Sequence, residues 1–132
     1  MANGSSDTVT KLLASNGANL GTFPVGDDPI GVAFDGANIW VTNYFSNSVT
    51  KLRASDGMNL GTFPVGTSPQ GVAFDGANVW IANFGSSNVT KLGVNDGTNL
   101  GTFPTGSAPL GVAFDGANIW VTNYVSGTVS KR

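Results

Sequence analysis

Short runs of apolar and β-branched residues alternate with turns rich in glycine, aspartate and asparagine along the whole chain. Runs of this kind predict β-strands, and apolar residues nowhere recur at helical spacing over the roughly 11 residues that a helix requires. The pattern therefore predicts an all-β chain. In one stretch the four predicted strands cover residues 31–34, 39–43, 49–52 and 59–65.

The turn residues predict how these strands connect. Asp35-Gly36 follows the first strand and Asp56-Gly57 separates the third from the fourth, since glycine supplies the positive φ that a tight hairpin needs. Pro64 removes a backbone donor, which suits an edge strand. The stretch is thus predicted to form a four-stranded antiparallel meander.

The segment GVAFDGAN occurs at residues 31–38, 71–78 and 111–118, so the meander repeats every 40 residues. A period of about 40–45 residues with four short strands in each unit is typical of a β-propeller blade. The fold class predicted from the repeat is therefore a β-propeller with four-stranded antiparallel blades and about three blades per chain.

Both faces of the first predicted strand are apolar. Val32 and Phe34 point to one face, whereas Gly31 and Ala33 point to the other, and radially packed blades bury both sides of their inner strands. We expect the shallow glycine and alanine face to accommodate Trp40 of the adjacent blade. One tryptophan at the same place in every copy favours packing over a ligand platform.

The phase of the repeat divides the chain into the outer strands of a shared blade (1–26), two blades (27–66 and 67–106) and the inner strands of a shared blade (107–132). Because known propellers have about four to eight blades, three blades cannot close a ring. We expect the chain to be its own partner, as a homodimer forming a six-bladed ring, with a nine-bladed trimer as the alternative.

The two ends of the chain carry duplicate copies of the third strand, and the shared blade has room for one. The N-terminal copy has Leu12 where the other repeats have Leu52 and Leu92, whereas the C-terminal copy has Arg132 there. Burying a charge is costly, so we expect the N-terminal copy to be used. The residues expected at this junction are Thr8, Val9, Thr10, Lys11, Leu12, Val129 and Ser130.

The composition narrows the range of functions. A net charge of −2 argues against nucleic-acid binding. The chain has no histidine, cysteine or glutamate, so we predict no catalytic residue, no metal ligand set and no cofactor. It also has no basic leader and no apolar run near the roughly 20 residues that span a bilayer, so we expect a soluble chain without a signal peptide or membrane contact.

Residues 40–44 (Trp-Val-Thr-Asn-Tyr), Ser46 to Val49 and the segment from Val65 to Pro69 resemble the bacterial YVTN-type propeller repeat, and they are similar to repeats of virginiamycin B lyase-like propellers. The resemblance implies a propeller fold and a bacterial, often exported protein. The lyases of that group use a histidine with an acidic metal site. No position in this chain can supply that histidine or a glutamate.

The turns that differ between copies lie at one end of every predicted blade, around the channel mouth, and variable turns carry surface chemistry. In a dimer, Asp27 and Asp28 would contribute four carboxylates there, which predicts a weak cation or small polar ligand site, such as a polyol site. The alternative is a hydrated channel without a specific guest. The candidate site residues are Asp27, Asp28, Thr67, Ser68, Ser107, Tyr44, Phe84 and Tyr124.

Together these observations predict a non-catalytic, self-assembling β-propeller repeat module that acts as a binding or structural scaffold. Two alternatives remain open at the level of sequence. One is a metal-assisted lyase or hydrolase of the virginiamycin B lyase-like type, and the other is a carbohydrate-binding propeller, since repeated aromatic and amide side chains suit sugars.

Overall fold

The computed structural model describes residues 1–132 as fourteen β-strands and one short 3-10 helix, Gly4–Ser6. The strands form four antiparallel sheets that follow one another along the chain. No helix is long and apolar enough to cross a bilayer. The structure thus confirms the predicted all-β class and the four-stranded antiparallel unit.

Two of the four sheets are complete, and we call them blade I and blade II. Blade I contains β4 (Pro29–Phe34), β5 (Asn38–Asn43), β6 (Ser48–Arg53) and β7 (Asn59–Pro64). Blade II contains β8 (Pro69–Phe74), β9 (Asn78–Asn83), β10 (Asn88–Gly93) and β11 (Asn99–Pro104). In both blades the strands pair in chain order, from an inner strand to an outer one.

The other two sheets have three strands each and lie at the ends of the chain. The N-terminal sheet contains β1 (Ala2–Asn3), β2 (Thr8–Leu12) and β3 (Asn19–Pro24), and the C-terminal sheet contains β12 (Pro109–Phe114), β13 (Ile119–Asn123) and β14 (Thr128–Lys131). By the repeat, β2 and β14 are both third strands. The N-terminal sheet lacks an inner strand, and the C-terminal sheet lacks an outer one.

Strand ends differ from the predictions by one or two residues. The first strand of blade I begins at Pro29 rather than Gly31, and its pairing with β5 shifts register between Pro29 and Val32. The fourth strand ends at Pro64, because the Val65 N–H leaves the ladder and donates to the Asn47 carbonyl at 3.1 Å. Proline in this outermost strand pairs with Ser48 on one side only, as an edge position requires.

The apolar core lies between successive sheets. Trp40 and Val49 of blade I are fully buried against Val79, Ile81 and Leu92 of blade II. Equivalent clusters lie between blade II and the C-terminal sheet and between the N-terminal sheet and blade I. Each blade therefore buries one face against the blade before it and the other against the blade after it.

The tryptophans pack on the opposite face from the one we predicted. The carbonyl of Gln70 on blade II lies against Gly31, where a Cβ would sit, and it accepts a hydrogen bond from the Thr42 hydroxyl at 2.7 Å. Trp40 stands opposite Ala33 in its own sheet and packs on the valine and phenylalanine face of blade II. The predicted placement is therefore wrong, because the inner strands of adjacent blades approach to backbone contact.

Candidate functional site

The two variable turns of each blade meet at one end of the sheet through backbone hydrogen bonds. In blade I the Tyr44 N–H donates to the Asp28 carbonyl at 2.9 Å and the Phe45 N–H donates to the Asp27 carbonyl at 3.2 Å. Equivalent bonds join Phe84 to Ser68, Gly85 to Thr67, Tyr124 to Ala108 and Val125 to Ser107. The structure thus joins the two variable turns in blade I, in blade II and in the C-terminal sheet, and it pairs the candidate residues Tyr44 with Asp28 and Phe84 with Ser68.

Left-handed backbone residues shape this rim. Asp28, Ser68 and Ala108 have φ of 53°, 53° and 55°, and Asn47 and Ser87 have φ of 51° and 54°. The sequence carries a weak signal for this geometry, because aspartate and asparagine tolerate positive φ better than most residues and Gly127 occupies the place of Asn47.

Polar side chains link the rims of adjacent sheets. The Ser68 N–H donates to Asn47 Oδ1 of blade I at 2.8 Å, and the Asp28 N–H donates to Asp7 Oδ1 of the N-terminal sheet at 3.0 Å. Hydrogen bonds therefore join the variable turns of blade II to those of blade I, and those of blade I to the N-terminal sheet.

A buried asparagine holds the rim of each blade, and sequence reasoning missed its role. Asn43 Nδ2 donates to Ser48 Oγ at 3.1 Å and to Thr50 Oγ1 at 2.9 Å, while its Oδ1 accepts from the Gly26 N–H at 3.1 Å. Asn3, Asn83 and Asn123 donate in the same way to their own third strands. The signal was present, since an asparagine recurs in every copy beside hydroxyl residues.

The acidic part of the rim lies in an open cavity of about 350 Å³ between the N-terminal sheet and blade I. Asp27, Asp28 and Asp7 line it together with Gly4, Ser5 and Phe45, and Asp7 was absent from the predicted set. The Asp28 side chain lies against Gly4. In the chain no three carboxylates converge closely enough to hold a metal ion.

Aromatic side chains also lie in the variable turns of the rim, and one of them, Phe45, lines this cavity. The Tyr44 and Phe45 rings meet edge to face at a centroid distance of 5.1 Å. Tyr124 and Phe45 are largely exposed, whereas Tyr44 and Phe84 are half-buried. The rim therefore presents hydroxyl, carboxylate and aromatic groups at one end of successive sheets.

The opposite end of each blade is built from the invariant aspartate turn. Asp35 Oδ1 accepts from the Ala37 and Asn38 N–H groups at 2.9 and 2.7 Å, and Oδ2 accepts from Trp40 Nε1 at 2.8 Å. Burial acts to raise the pKa of Asp35, but the bonds from Trp40 and the backbone outweigh it and lower that pKa. The structure confirms the predicted turn at Asp35-Gly36 and adds the indole contact.

The same arrangement recurs in the other copies. Asp75 accepts from Trp80 at 2.7 Å and Asp115 from Trp120 at 2.6 Å, and the bond from Trp120 holds the pKa of Asp115 far below its usual range. These carboxylates are fully engaged in structure. The hydrogen bonds from each turn and its indole favour the ionised form of all three carboxylates.

Solved structures similar to this chain are propellers of diverse kinds. The computationally designed Ika4 protein matches 99% of the chain and 81% of its own length, with 13% identity and a TM-score of 0.85. A streptogramin B lyase matches 97% of the chain with 14% identity and a TM-score of 0.81. Hydrazine synthase from Kuenenia stuttgartiensis matches 98% of the chain with 21% identity and a TM-score of 0.78.

These likenesses establish the fold and nothing finer. No protein-family model matches the chain, and comparison with curated proteins gives no match. The chain spans 44% of the length of both the lyase and the hydrazine synthase chains. The predicted β-propeller repeat fold is therefore confirmed.

Proposed function

We propose that these 132 residues form a non-catalytic β-propeller module that assembles with a second copy of itself into a closed six-bladed ring and serves as a binding or structural scaffold. The observation that carries the proposal is the contrast in burial between equivalent residues. Trp40 is fully buried between blades, whereas Trp120 is 40% exposed, and Val49 is fully buried whereas Val129 is 58% exposed.

Exposed apolar faces of this kind favour association. Burial of apolar surface contributes about 25 cal/mol per Å², and a patch larger than a few hundred Å² on a lone chain marks an interaction site. A repeat of the same sequence is the natural cover, because internal repeats already cover the equivalent faces of blades I and II. Two copies supply six blades, within the usual range of about four to eight.

The side-chain chemistry supports a scaffold rather than an enzyme. The chain has no histidine, cysteine or glutamate. Five of its eight aspartates accept hydrogen bonds that lower their pKa, namely Asp35, Asp56, Asp75, Asp96 and Asp115. The remaining candidates for ligand contact are the rim residues, which the ring would gather around the mouth of its channel.

Light scattering on the purified 132-residue chain tests the proposal. We expect a mass of two chains, that is, twice 13.4 kDa. A mass of one chain at every concentration contradicts self-assembly, and a mass of three chains replaces six blades with nine. Titrating calcium and a panel of sugars against wild type and the Asp27→Ala, Asp28→Ala double variant then tests the rim as a binding surface.

A further inference from the structure

An apolar cavity of about 310 Å³ lies between the N-terminal sheet and blade I. Lys11 and Phe23 line it from the N-terminal sheet, and Ile39 and Leu52 line it from blade I. At the corresponding place between blades I and II there is no such cavity, because Trp40 fills that space.

The lining of the cavity matches the surroundings of Trp40 one repeat later. Trp40 packs against the Phe63 ring at 5.8 Å, lies under Lys51 Nζ at 5.1 Å and contacts Val79 and Leu92. Subtracting one period of 40 residues gives the residues that line the cavity: Phe23, Lys11, Ile39 and Leu52. The cavity is therefore a tryptophan seat whose tryptophan is missing from the N-terminal sheet.

We infer that Trp120 of a second copy occupies this seat, an inference that rests on the proposed self-assembly and specifies its docking surface. Trp120 is the one tryptophan of the chain without a following blade and is 40% exposed, whereas Trp40 and Trp80 are buried. To reach the seat, β13 of one copy pairs with β2 of the other, with Trp120 opposite Lys11 as Trp40 stands opposite Lys51.

Two further contacts are unmatched at the same junction. Phe23 covers Gly57 and Phe63 covers Gly97, whereas nothing lies within 4 Å of the Cβ position of Gly17. Lys11 Nζ donates to the Ala54 carbonyl at 2.9 Å and Lys51 Nζ to the Val94 carbonyl at 2.7 Å. When the same 40-residue repeat is continued from one copy into the next, Phe103 covers Gly17 of the second copy, and Lys91 Nζ donates to the carbonyl of the second copy's Ala14.

This docking requires two short strands to leave. β1 covers the edge of β2, with Asn3 opposite Thr8, and β14 covers the edge of β13, with Val129 opposite Thr122. β14 pairs with β13 alone, so the pairing of β13 with β2 replaces the strand pairing that β14 gives up, although Arg132 also loses its bond to the Pro104 carbonyl. Displacing β2 instead would also break its five-residue pairing with β3. In the dimer, β1 and β14 are therefore displaced from these strand edges by the second copy.

Two cysteine pairs distinguish the exchanged pairing from the one in the free chain, and the native sequence contributes no cysteine. Thr122 and Val129 stand opposite each other, three residues from the hydrogen-bonded pair Ile119 and Arg132. Because bonded and non-bonded pairs alternate along an antiparallel ladder, Thr122 and Val129 form a close, non-hydrogen-bonded pair, where a disulfide fits. By the repeat, Thr122 and Val9 of a second copy have the same geometry in the exchanged pairing. Ala82 occupies the equivalent of position 122, so the blade tolerates a small residue there.

For the Val9→Cys, Thr122→Cys variant we expect a disulfide between chains, seen as a doubled mass on a non-reducing gel. For Thr122→Cys, Val129→Cys we expect a disulfide within one chain that holds β14 in place, so that light scattering gives one chain when oxidised and two when reduced. If the oxidised second variant remains a dimer, or the first does not cross-link although wild type is a dimer, the inference is overturned while self-assembly stands. A wild type of single-chain mass overturns both.

The seat itself is tested by Trp120→Ala. We expect the dimer dissociation constant to rise by about 30-fold or more, the size typical of a central aromatic anchor. Leu100→Ala is the matched control, because Leu100 and its equivalents Leu20 and Leu60 are all exposed on outer strands and belong to no junction. Equal effects of the two variants contradict the proposed seat.

Discussion

Blade II and the C-terminal sheet contain almost the same inner strands but differ in what covers them. Trp80 and Val89 are buried because Ile119 and Val121 of the following sheet pack on them, whereas Trp120 and Val129 have no following sheet and are 40% and 58% exposed. Strand pairing is preserved in both. In this repeat the hydrogen-bonded sheet is therefore specified locally, while the core exists only where two repeats meet.

The largest effect on stability is expected from Trp40→Ala, compared with Trp120→Ala. Removing the fully buried Trp40 side chain leaves a cavity and is expected to cost about 3–5 kcal/mol of unfolding free energy. Trp120→Ala is expected to cost roughly 1–2 kcal/mol, since less apolar area returns to water. Urea unfolding at concentrations where light scattering gives one chain measures both. Equal losses would contradict the view that burial depends on a following blade.

A smaller effect is expected at the lysine that reaches from each blade to the next. Lys51 is buried, and its ammonium donates to the Val94 and Asn95 carbonyls at 2.7 and 3.2 Å. Lys51→Met keeps the stem but leaves those carbonyls without their donor, so we expect a loss of about 1–2 kcal/mol.

Lys91→Met is the matched control, because Lys91 lies over Trp80 but makes no such bond within the chain. We expect a change within about 0.5 kcal/mol in the single chain, typical of a surface substitution. A loss as large as that of Lys51→Met would show that the carbonyl contacts are not what the buried lysine contributes.

The sequence was sufficient for the sheet but not for the contacts between sheets. A period of 40 residues and invariant turns predicted the order of the strands, because a hairpin is determined by residues adjacent in sequence. The Lys51 bond to Val94 and the contact of Gly31 with the Gln70 carbonyl join residues about one period apart. Their geometry depends on the angle between blades, which no local pattern encodes.

In the candidate site, too, contacts within one sheet were predictable from the sequence and contacts between sheets were not. That the two variable turns share one end of each blade followed from the meander, and backbone bonds such as that from Tyr44 to Asp28 are what such a meander produces. Asp7 could not be placed beside Asp28 from the sequence, because the two belong to different sheets and meet through a backbone N–H. The apolar cavity between the N-terminal sheet and blade I likewise appears only when adjacent sheets are packed.

A modest effect is expected from the aspartate that joins each turn to its tryptophan. Asp35→Asn places an amide where Trp40 Nε1 and two backbone N–H groups require acceptors. We expect a loss of about 1 kcal/mol at pH 7.

The pH dependence of that loss has a definite sign. Burial opposes ionisation of Asp35, but the bonds from Trp40 and the backbone lower its pKa below that of the unfolded chain. The carboxylate therefore contributes stability above about pH 4, the ordinary aspartate range, and loses it as the pH falls through the folded pKa. Urea unfolding should show the gap between wild type and Asp35→Asn constant from pH 5 to 7 and narrowing below about pH 4. A stability difference as large at pH 2 as at pH 7 would contradict the role assigned to the ionised Asp35.

The smallest effect is expected at the one ion pair of the chain, in the turn between β6 and β7. Arg53 donates to Asp56 through Nε at 3.0 Å and through Nη2 at 2.6 Å, and both side chains are about half exposed. The bond from Arg53 lowers the pKa of Asp56 to about 2, with help from the Met58 N–H. The equivalent turn of blade II has Gly93 in place of arginine, and there the Thr98 N–H lowers the pKa of Asp96.

Arg53→Leu removes this ion pair and copies the residue at position 13. We expect no resolvable loss of stability, since exposed ion pairs contribute little, but the carboxyl resonance of Asp56 should titrate at a higher pH, close to that of Asp96 in the same NMR experiment. An unchanged Asp56 midpoint would show that the turn backbone, rather than the arginine, sets the pKa in both blades.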